Sequence, residues 1–501
     1  MSHSLSRPAP VDAFPLDGDD AQVLIDGEWS KGLGGAPVAV NDPSVNERLF
    51  DVTPASIDQV DAAVESSTRA FYGSWAAMSG RDKGNCMFRL ATLMRESIDV
   101  LAELEARNTG IPIKQSRFEV ESAARHIEYF AGFAGKIEGT SAQLPDGRVM
   151  YGVREPIGVI AQVVPWNTPL KLLARGCAAA LACGNTVVIK PSIVALASVL
   201  ALGKLVEQAG FPPGVVNMVP GKGRTVGSAL VRHPGIRKVV FTGGTEGGEE
   251  VLLDAARNVT PVLAELGGKG PIIVGKNVDV DEVAAGVMSQ AFARMGQVCF
   301  AGTRLFVPSD MRAEVVDRLV HFASQMVIGD AMDSASQMGP LISKDHLESV
   351  QTHITNAVEK GATLVCGGAV EGAPGNFIRP TVLTDVDVNQ PIAQQEVFGP
   401  VLVVHDYDNL DDAIRDANNT QYGLASYVWT NDIREALNIG RRLESGNVFI
   451  NTYRYASEVP FGGSKKSGLG REHGSEALRE YTELKTVVMA TNRWSDAVLS
   501  S

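Results

Sequence analysis

Cysteine, aromatic side chains and surplus positive charge are all sparse in this chain of 501 residues, and each shortage excludes a class of protein. Cys86, Cys177, Cys183, Cys299 and Cys366 are odd in number, irregularly spaced and without a CxxC pair. A disulfide framework or a zinc site needs paired sulfurs, so neither is expected and no metal is assigned; a reducing compartment fits instead. Asp and Glu number 58 against 45 Lys and Arg, a net charge of −13, which argues against a nucleic-acid or anionic-membrane surface. No run of 18 apolar residues exists: the longest candidate, 172–189, is broken by Arg175, Gly184 and Asn185. The first twenty residues lack an apolar core, so a secretory signal is not expected and the cytoplasm is the expected location.

What is present is ordinary globular material, 45% hydrophobic and 21% charged, in a length that suggests about two to four structural units. Residues 1–18, rich in Pro and polar side chains, read as a mobile tail. Val23–Trp29 reads as a hairpin turning on Asp26-Gly27. From Ile57 to about Lys136, apolar residues recur at helical spacing, with Ser56 and Ser79 as candidate caps. From Gly152 onward, β-branched runs alternate with Ala/Leu-rich stretches. Strands are expected at 159–164, 186–189, 215–219 and 238–242, and helices at 170–181, 194–208, 225–231 and 247–256. Such alternation implies a doubly wound parallel sheet of α/β class. A second series follows Pro271, with strands expected at 272–274, 303–307, 363–366, 401–405 and 448–451.

Several segments carry candidate chemistry. Gly221-Lys222-Gly223 begins a dinucleotide fingerprint, but Val226 stands where its third glycine belongs. Phe241-Thr242-Gly243-Gly244-Thr245-Glu246-Gly247-Gly248 leaves a strand and opens a helix, where backbone N–H groups can meet a phosphate; alone it also fits a plain βα turn. Pro165-Trp166-Asn167 and Lys190 follow strand ends, where α/β sheets place ligands. Glu265-Leu266-Gly267-Gly268-Lys269 precedes Gly296-Gln297-Val298-Cys299 by about thirty residues. A lone Cys on a short loop is reactive only if a helix end or a cation lowers its pKa.

Together these segments, with Glu396-Val397-Phe398-Gly399-Pro400 and the stretch from Phe461 to Glu472, resemble the aldehyde dehydrogenase superfamily in order and spacing over about residues 20–490. The resemblance implies NAD- or NADP-dependent oxidation of an aldehyde to a carboxylic acid. Cys299 would be the nucleophile, Glu265 the base that activates water for thioester hydrolysis, and Asn167 the oxyanion donor. Glu472 would relay protons. The cofactor would lie against Pro165, Trp166, Lys190, Ser192 and Ile193, then Gly223, Phe241, Thr242, Gly243, Gly244 and Gly248. Leu266, Gly267, Glu396 and Phe398 would complete its site. A coenzyme A-acylating relative and a non-catalytic protein on the same fold are the alternatives; the presence of Glu265 and of the whole Cys299, Glu265 and Asn167 set speaks against each.

The resemblance also implies an architecture. Residues 19–137 with 158–267 would form a dinucleotide-binding domain and 268–480 a catalytic domain. Residues 138–157 with 481–501 would form a small β element joining subunits into a dimer or tetramer, in which Val149–Val153 and Thr486–Ala490 pair across subunits. Three departures stand out. Ile193 replaces an acid that grips a ribose hydroxyl in NAD-preferring members, leaving cofactor choice open. Gly176 replaces a relay lysine. Arg294 replaces an Asn before the nucleophile. Thr168, Leu172, Arg175, Arg294, Arg454 and Phe461 are expected along the aldehyde tunnel, and arginines there could receive an anionic substrate group.

Overall fold

The computed structural model describes residues 22–490. The expected mobile segment 1–18 and the last residues of 481–501 lie outside the described residues. Val23–Ile25 and Glu28–Ser30 pair through Asp26 and Gly27, both at positive φ, the turn geometry that tightens a hairpin. The long helical region resolves into five helices between Ile57 and Ala131. Ser56 closes a capping box with Gln59, and Ser79 accepts from the Asp82 N–H, as the sequence suggested.

The first sheet is built from Val216–Met218, Thr186–Lys190, Val159–Val163, Ile236–Thr242 and Val262–Glu265, parallel and in that spatial order. The chain starts in the middle, winds outward one way, then crosses to the other side. A switch point therefore lies between Val159–Val163 and Ile236–Thr242, where such sheets open a ligand crevice at their carboxyl ends. The strands are buried on both faces, as continuous Val/Ile runs require.

The second sheet runs Ile378–Thr384, Val401–Tyr407, Gly302–Pro308, Gly270–Val274, Ala425–Trp429 and Asn447–Ile450, all parallel. Neither sheet is purely parallel. Val23–Ile25 and Gly468–Leu469 add antiparallel edges to the first, and Thr363–Ala369 adds one to the second. Ile378–Thr384 and Ala425–Trp429 in this sheet were not expected, nor were Val262–Glu265 in the first sheet and the hairpin of Val38–Asp42 with Glu47–Val52. Pro380 inside the first of these lacks an N–H and reads as a breaker in sequence. The expected helix 225–231 is instead a wide π turn, Gly223–Gly227, followed by the short helix Ser228–Arg232.

Thr140–Gln143, Val149–Pro156 and Thr482–Met489 form a separate three-stranded sheet. Its partner strands come from the same chain. The apolar segments expected to pair across subunits pair with each other, from Thr482 opposite Pro156 to Met489 opposite Val149. Among the described residues, no helix is long and apolar enough to cross a membrane.

Candidate active site

The carboxyl edge of the first sheet meets the amino edge of the second. Glu265 is the last residue of Val262–Glu265, and Gly270 opens Gly270–Val274 only five residues later. Cys299 lies three residues before Gly302–Pro308. The linker packs tightly: a Cβ on Gly268 would fall 2.3 Å from the Cys299 carbonyl oxygen, so glycine is needed for this approach.

Cys299 is half-buried, whereas Cys86, Cys177 and Cys183 are buried. Burial pushes its thiol up to about 12; the Arg175 charge and the Phe300 N–H work in the opposite direction. The thiol therefore needs a proton acceptor at neutral pH. Glu265 is fully buried, and burial raises its carboxyl to about 8, with Arg175 opposing and Glu472 reinforcing the rise. Neither Glu265 oxygen has a hydrogen-bond partner among the described residues. Asn167 follows the strand Val159–Val163 and donates from Nδ2 to the Gln297 carbonyl at 3.0 Å, which ties it to the loop carrying Cys299. The second Nδ2 hydrogen is left for another acceptor.

Arg175 lies on the helix Pro169–Ala182, in which every residue is buried. It forms an ion pair with Glu472, both side chains 1% exposed. The contact is one of charge rather than an aligned hydrogen bond: Arg175 Nε and Nη2 and both Glu472 oxygens have no hydrogen-bond partner among the described residues. Burial disfavours the guanidinium, but Glu472 and Glu265 more than offset this and keep it charged. Burial raises the Glu472 carboxyl against the pull of Arg175. Phe461 and Glu472 exchange two backbone hydrogen bonds of 2.7 Å, and the Arg175 guanidinium sits 5.5 Å above the Phe461 ring. Phe461 packs against Phe300 and Tyr455 at 5.7 and 5.5 Å, forming an aromatic wall beside the nucleophile. Thr168 and Leu172 are buried on the same helix start. At Gly176 a Cβ would fall 2.3 Å from Gln162 Oε1, so Gln162 fills the space that a longer side chain would need.

Arg294 is bonded to Glu119, with its Nε 2.6 Å from Oε1. Arg294 and Met295 have φ of 49° and 59°, and Gly296 has 68°. Two non-glycine residues in the left-handed region cost about 1–2 kcal/mol each, so this half-turn must be held by its surroundings. Arg454 remains exposed and carries no ion pair among the described contacts; its N–H is bonded to Thr452 Oγ1 at 3.2 Å.

Several neighbours escaped the sequence reading. Lys171 and Arg175 are the two cations of an otherwise apolar helix, four residues apart and hence on one face, a signal that was available. Lys171 pairs with Glu119 at 3.1 Å and lies 5.0 Å from the Tyr455 ring. Glu119 and Tyr455 gave no such signal, because only the fold brings them to the site.

The phosphate-binding candidate has the right form. The helix Thr245–Ala256 begins at Gly244, which offers no side-chain cap and has open space where a Cβ would stand. Its N-terminal N–H groups face the switch point, beside a buried Thr242 hydroxyl without a partner. Gly243 and Gly248 are crowded instead, by the Phe241 ring and Leu266. Lys190 ends its strand buried, and burial lowers its ammonium to about 8. Ser192 and Ile193 follow half-buried, and Gly223 is exposed on the π turn. Glu396 accepts from the Gly268 N–H at 2.9 Å, and burial raises its carboxyl to about 7. A Cβ on Gly267 would stand 2.3 Å from Glu396 Oε2. Phe398, at φ 55°, packs edge-on to Trp166 at 5.3 Å, next to Pro165. These residues fit an extended phosphate-bearing ligand with ribose hydroxyls for Lys190 and Glu396.

Comparison with known proteins agrees with this geometry. The model of the aldehyde dehydrogenase family matches residues 29–487. The chain is 39% identical to a phenylacetaldehyde dehydrogenase of Pseudomonas fluorescens, over 94% of this chain and 96% of that protein. It is 41% identical to retinaldehyde dehydrogenase 3 of Mus musculus, over 93% and 92%. An NAD+ complex of an aldehyde dehydrogenase from Bacillus cereus superposes with a TM-score of 0.93 at 38% identity, covering 95% of this chain and 98% of that one. The chain belongs to the aldehyde dehydrogenase family.

Proposed function

We propose that this enzyme oxidises an aldehyde to its carboxylic acid with NAD or NADP, using Cys299 as nucleophile and Glu265 as base. One observation carries the reading. Three buried groups with unmet hydrogen bonds among the described residues, Glu265, Arg175 and Glu472, act on one another, and the first two act on a half-buried thiol whose loop is bonded to Asn167. Buried unsatisfied polar groups are costly and cluster where chemistry needs them.

Cys299 Sγ gives up its proton to the Glu265 carboxylate, which returns to its ionised form through Glu472, and the sulfur adds to the aldehyde carbon. The Asn167 Nδ2–H and the Cys299 N–H hold the resulting oxyanion. A bound NAD+ or NADP+ supplies the hydride acceptor. Collapse leaves an acyl thioester on Cys299. Glu265 then removes a proton from water, which attacks the thioester, and Cys299 leaves as thiolate. Glu472, held by Arg175, receives the proton from Glu265. The helix start at Gly244 would hold the phosphates of the cofactor, and Lys190 and Glu396 would hold its two riboses. Ile193 neither grips a ribose hydroxyl nor repels a phosphate, which supports use of both cofactors. Residues 19–137 with 158–267 form the dinucleotide-binding domain, which also lends Asn167 and Glu265 to the thiol, and 268–480 the catalytic domain, which carries Cys299 and lends Glu396 to the cofactor. The three-stranded sheet of 138–157 and 481–490 joins subunits into a dimer or tetramer. All five cysteines are free, which suits the cytoplasm.

The substrate reading favours a neutral aldehyde with an apolar or aromatic body. Arg175 and Arg294, expected to receive an anionic group, are each already matched to an internal carboxylate, Glu472 and Glu119. Phe300, Tyr455 and Phe461 line the approach instead. The aldehydes named by the relatives, phenylacetaldehyde and retinaldehyde, are of this kind. The test follows reduced cofactor with aromatic, aliphatic and carboxylate-bearing aldehydes, with NAD and NADP in parallel and without coenzyme A. Efficient turnover of neutral aldehydes supports the reading. A marked preference for carboxylate-bearing ones returns the arginines to the substrate.

A further inference from the structure

The half-turn Arg294-Met295-Gly296 sits three residues from the nucleophile with three successive positive φ angles, closed by the Gln297 N–H donating to the Arg294 carbonyl at 3.0 Å. It cannot relax toward the neighbouring loop, since a Cβ on Gly296 would stand 2.2 Å from the Gly399 carbonyl oxygen. Among the described residues its charged anchor is the Arg294 guanidinium on Glu119, whose side chain is 0% exposed. Glu119 lies on a different element, the helix Ile113–Ala131. The same carboxylate also pairs with Lys171 at 3.1 Å. Lys171 stands four residues after Asn167, at the start of the helix Pro169–Ala182. Asn167 Nδ2 in turn donates to the carbonyl of Gln297, on the nucleophile loop. The contacts form a closed ring: Glu119 to Arg294, along the loop to Gln297, across to Asn167, along the helix to Lys171, and back to Glu119.

We propose that Glu119 is a positioning residue that clamps the strained nucleophile loop to the helix behind Asn167, and so fixes the distance between the Cys299 sulfur and the Asn167 amide. The inference rests on the reaction proposed above. A buried ion pair adds little net stability over a well-packed apolar pair, so one that bridges three elements is better explained by the geometry it enforces. Burial alone disfavours the Glu119 charge, but Arg294 and Lys171 together hold its carboxyl below the usual range, so the clamp stays ionised at neutral pH. Arg294 thereby acts through Cys299 and does not touch the substrate.

The test is a double-mutant cycle on the full-length enzyme with a neutral aldehyde. Glu119→Gln should lower kcat about 10²-fold, the effect of a misplacement near 1 Å, while KM changes less than about twofold. Asn167→Ala alone should lower kcat about 10²–10³-fold, but much less in the Glu119→Gln background, because the donor is already misaligned there. Glu119→Asp, which keeps the charge and shortens the reach, serves if Glu119→Gln does not fold; it should act in the same direction and more weakly. A readout independent of turnover is the rate of Cys299 carbamidomethylation, followed by peptide mass. Release of the loop should change that rate at least about fivefold, against the unclamped movement expected of a strained segment. Losses that simply multiply, or an unchanged alkylation rate, overturn the proposal. So does a lowered KM for carboxylate-bearing aldehydes in Glu119→Gln with neutral turnover intact, which would make Arg294 a substrate ligand. A wild-type enzyme with no turnover on any aldehyde would defeat the proposed reaction, and the alkylation arm would still decide the clamp.

Discussion

Cys299 and Glu265 share a proton problem, since burial makes both reluctant to ionise, the thiol up to about 12 and the carboxyl to about 8. Glu265 acts as base only in its ionised form, which exists above its raised pKa. The hydrolytic limb should therefore rise across roughly pH 7–9 and level off above, with its midpoint near 8. Arg175 lowers the Glu265 pKa, so Arg175→Ala should move that limb to higher pH, which a pH–rate profile would show. A limb that stays in place would detach Arg175 from the base. Cys299, Glu265 and Asn167 could be picked out as candidates because each stands in a contiguous motif. The pairing of Arg175 was not legible, because its partner Glu472 is some three hundred positions away and the fold brings it near, in part through the Phe461–Glu472 bridge. Lys171 was readable from helical spacing alone, whereas Glu119 needed the fold.

At the scale of elements, glycine decides how closely the two sheet edges approach. Gly267→Ala places a methyl 2.3 Å from Glu396 Oε2, so the carboxylate must leave its Gly268 N–H. Cofactor affinity should fall about tenfold or more, as expected when a charge-assisted hydrogen bond of about 1.5–3 kcal/mol is lost. Fluorescence titration with reduced cofactor would measure it, and unchanged affinity would remove Glu396 from the ribose. Most strands and helices were recoverable because buried β-branched runs and amphipathic stretches carry their own period. Ile378–Thr384 was lost to Pro380, whereas Ala425–Trp429 was missed although Tyr427, Val428 and Trp429 favour strands. The segment 225–231 was read as one helix, whereas its start belongs to the π turn Gly223–Gly227 and only the rest to the helix Ser228–Arg232.

The whole molecule turns on which edges are left open. Thr482–Met489 pairs with Val149–Pro156 on one side only, and Leu484, Val488 and Met489 are exposed large apolar side chains. An unpaired apolar edge is an aggregation hazard unless another subunit covers it. Val488→Lys should shift the enzyme to a smaller species in sedimentation velocity; an unchanged distribution would place the contact elsewhere. The element was legible as apolar strand segments, but not their pairing within one chain, since sequence alone does not distinguish a partner strand from the same chain and one from a neighbour.

The most direct test of the central claim is a single-turnover experiment with Glu265→Gln, read by reduced-cofactor absorbance and by the mass of the Cys299 peptide. The account predicts a burst of one reduced cofactor per site followed by a stall, with the acyl group of the aldehyde retained on Cys299. Steady turnover at the wild-type rate, or a burst without acylated Cys299, would contradict it.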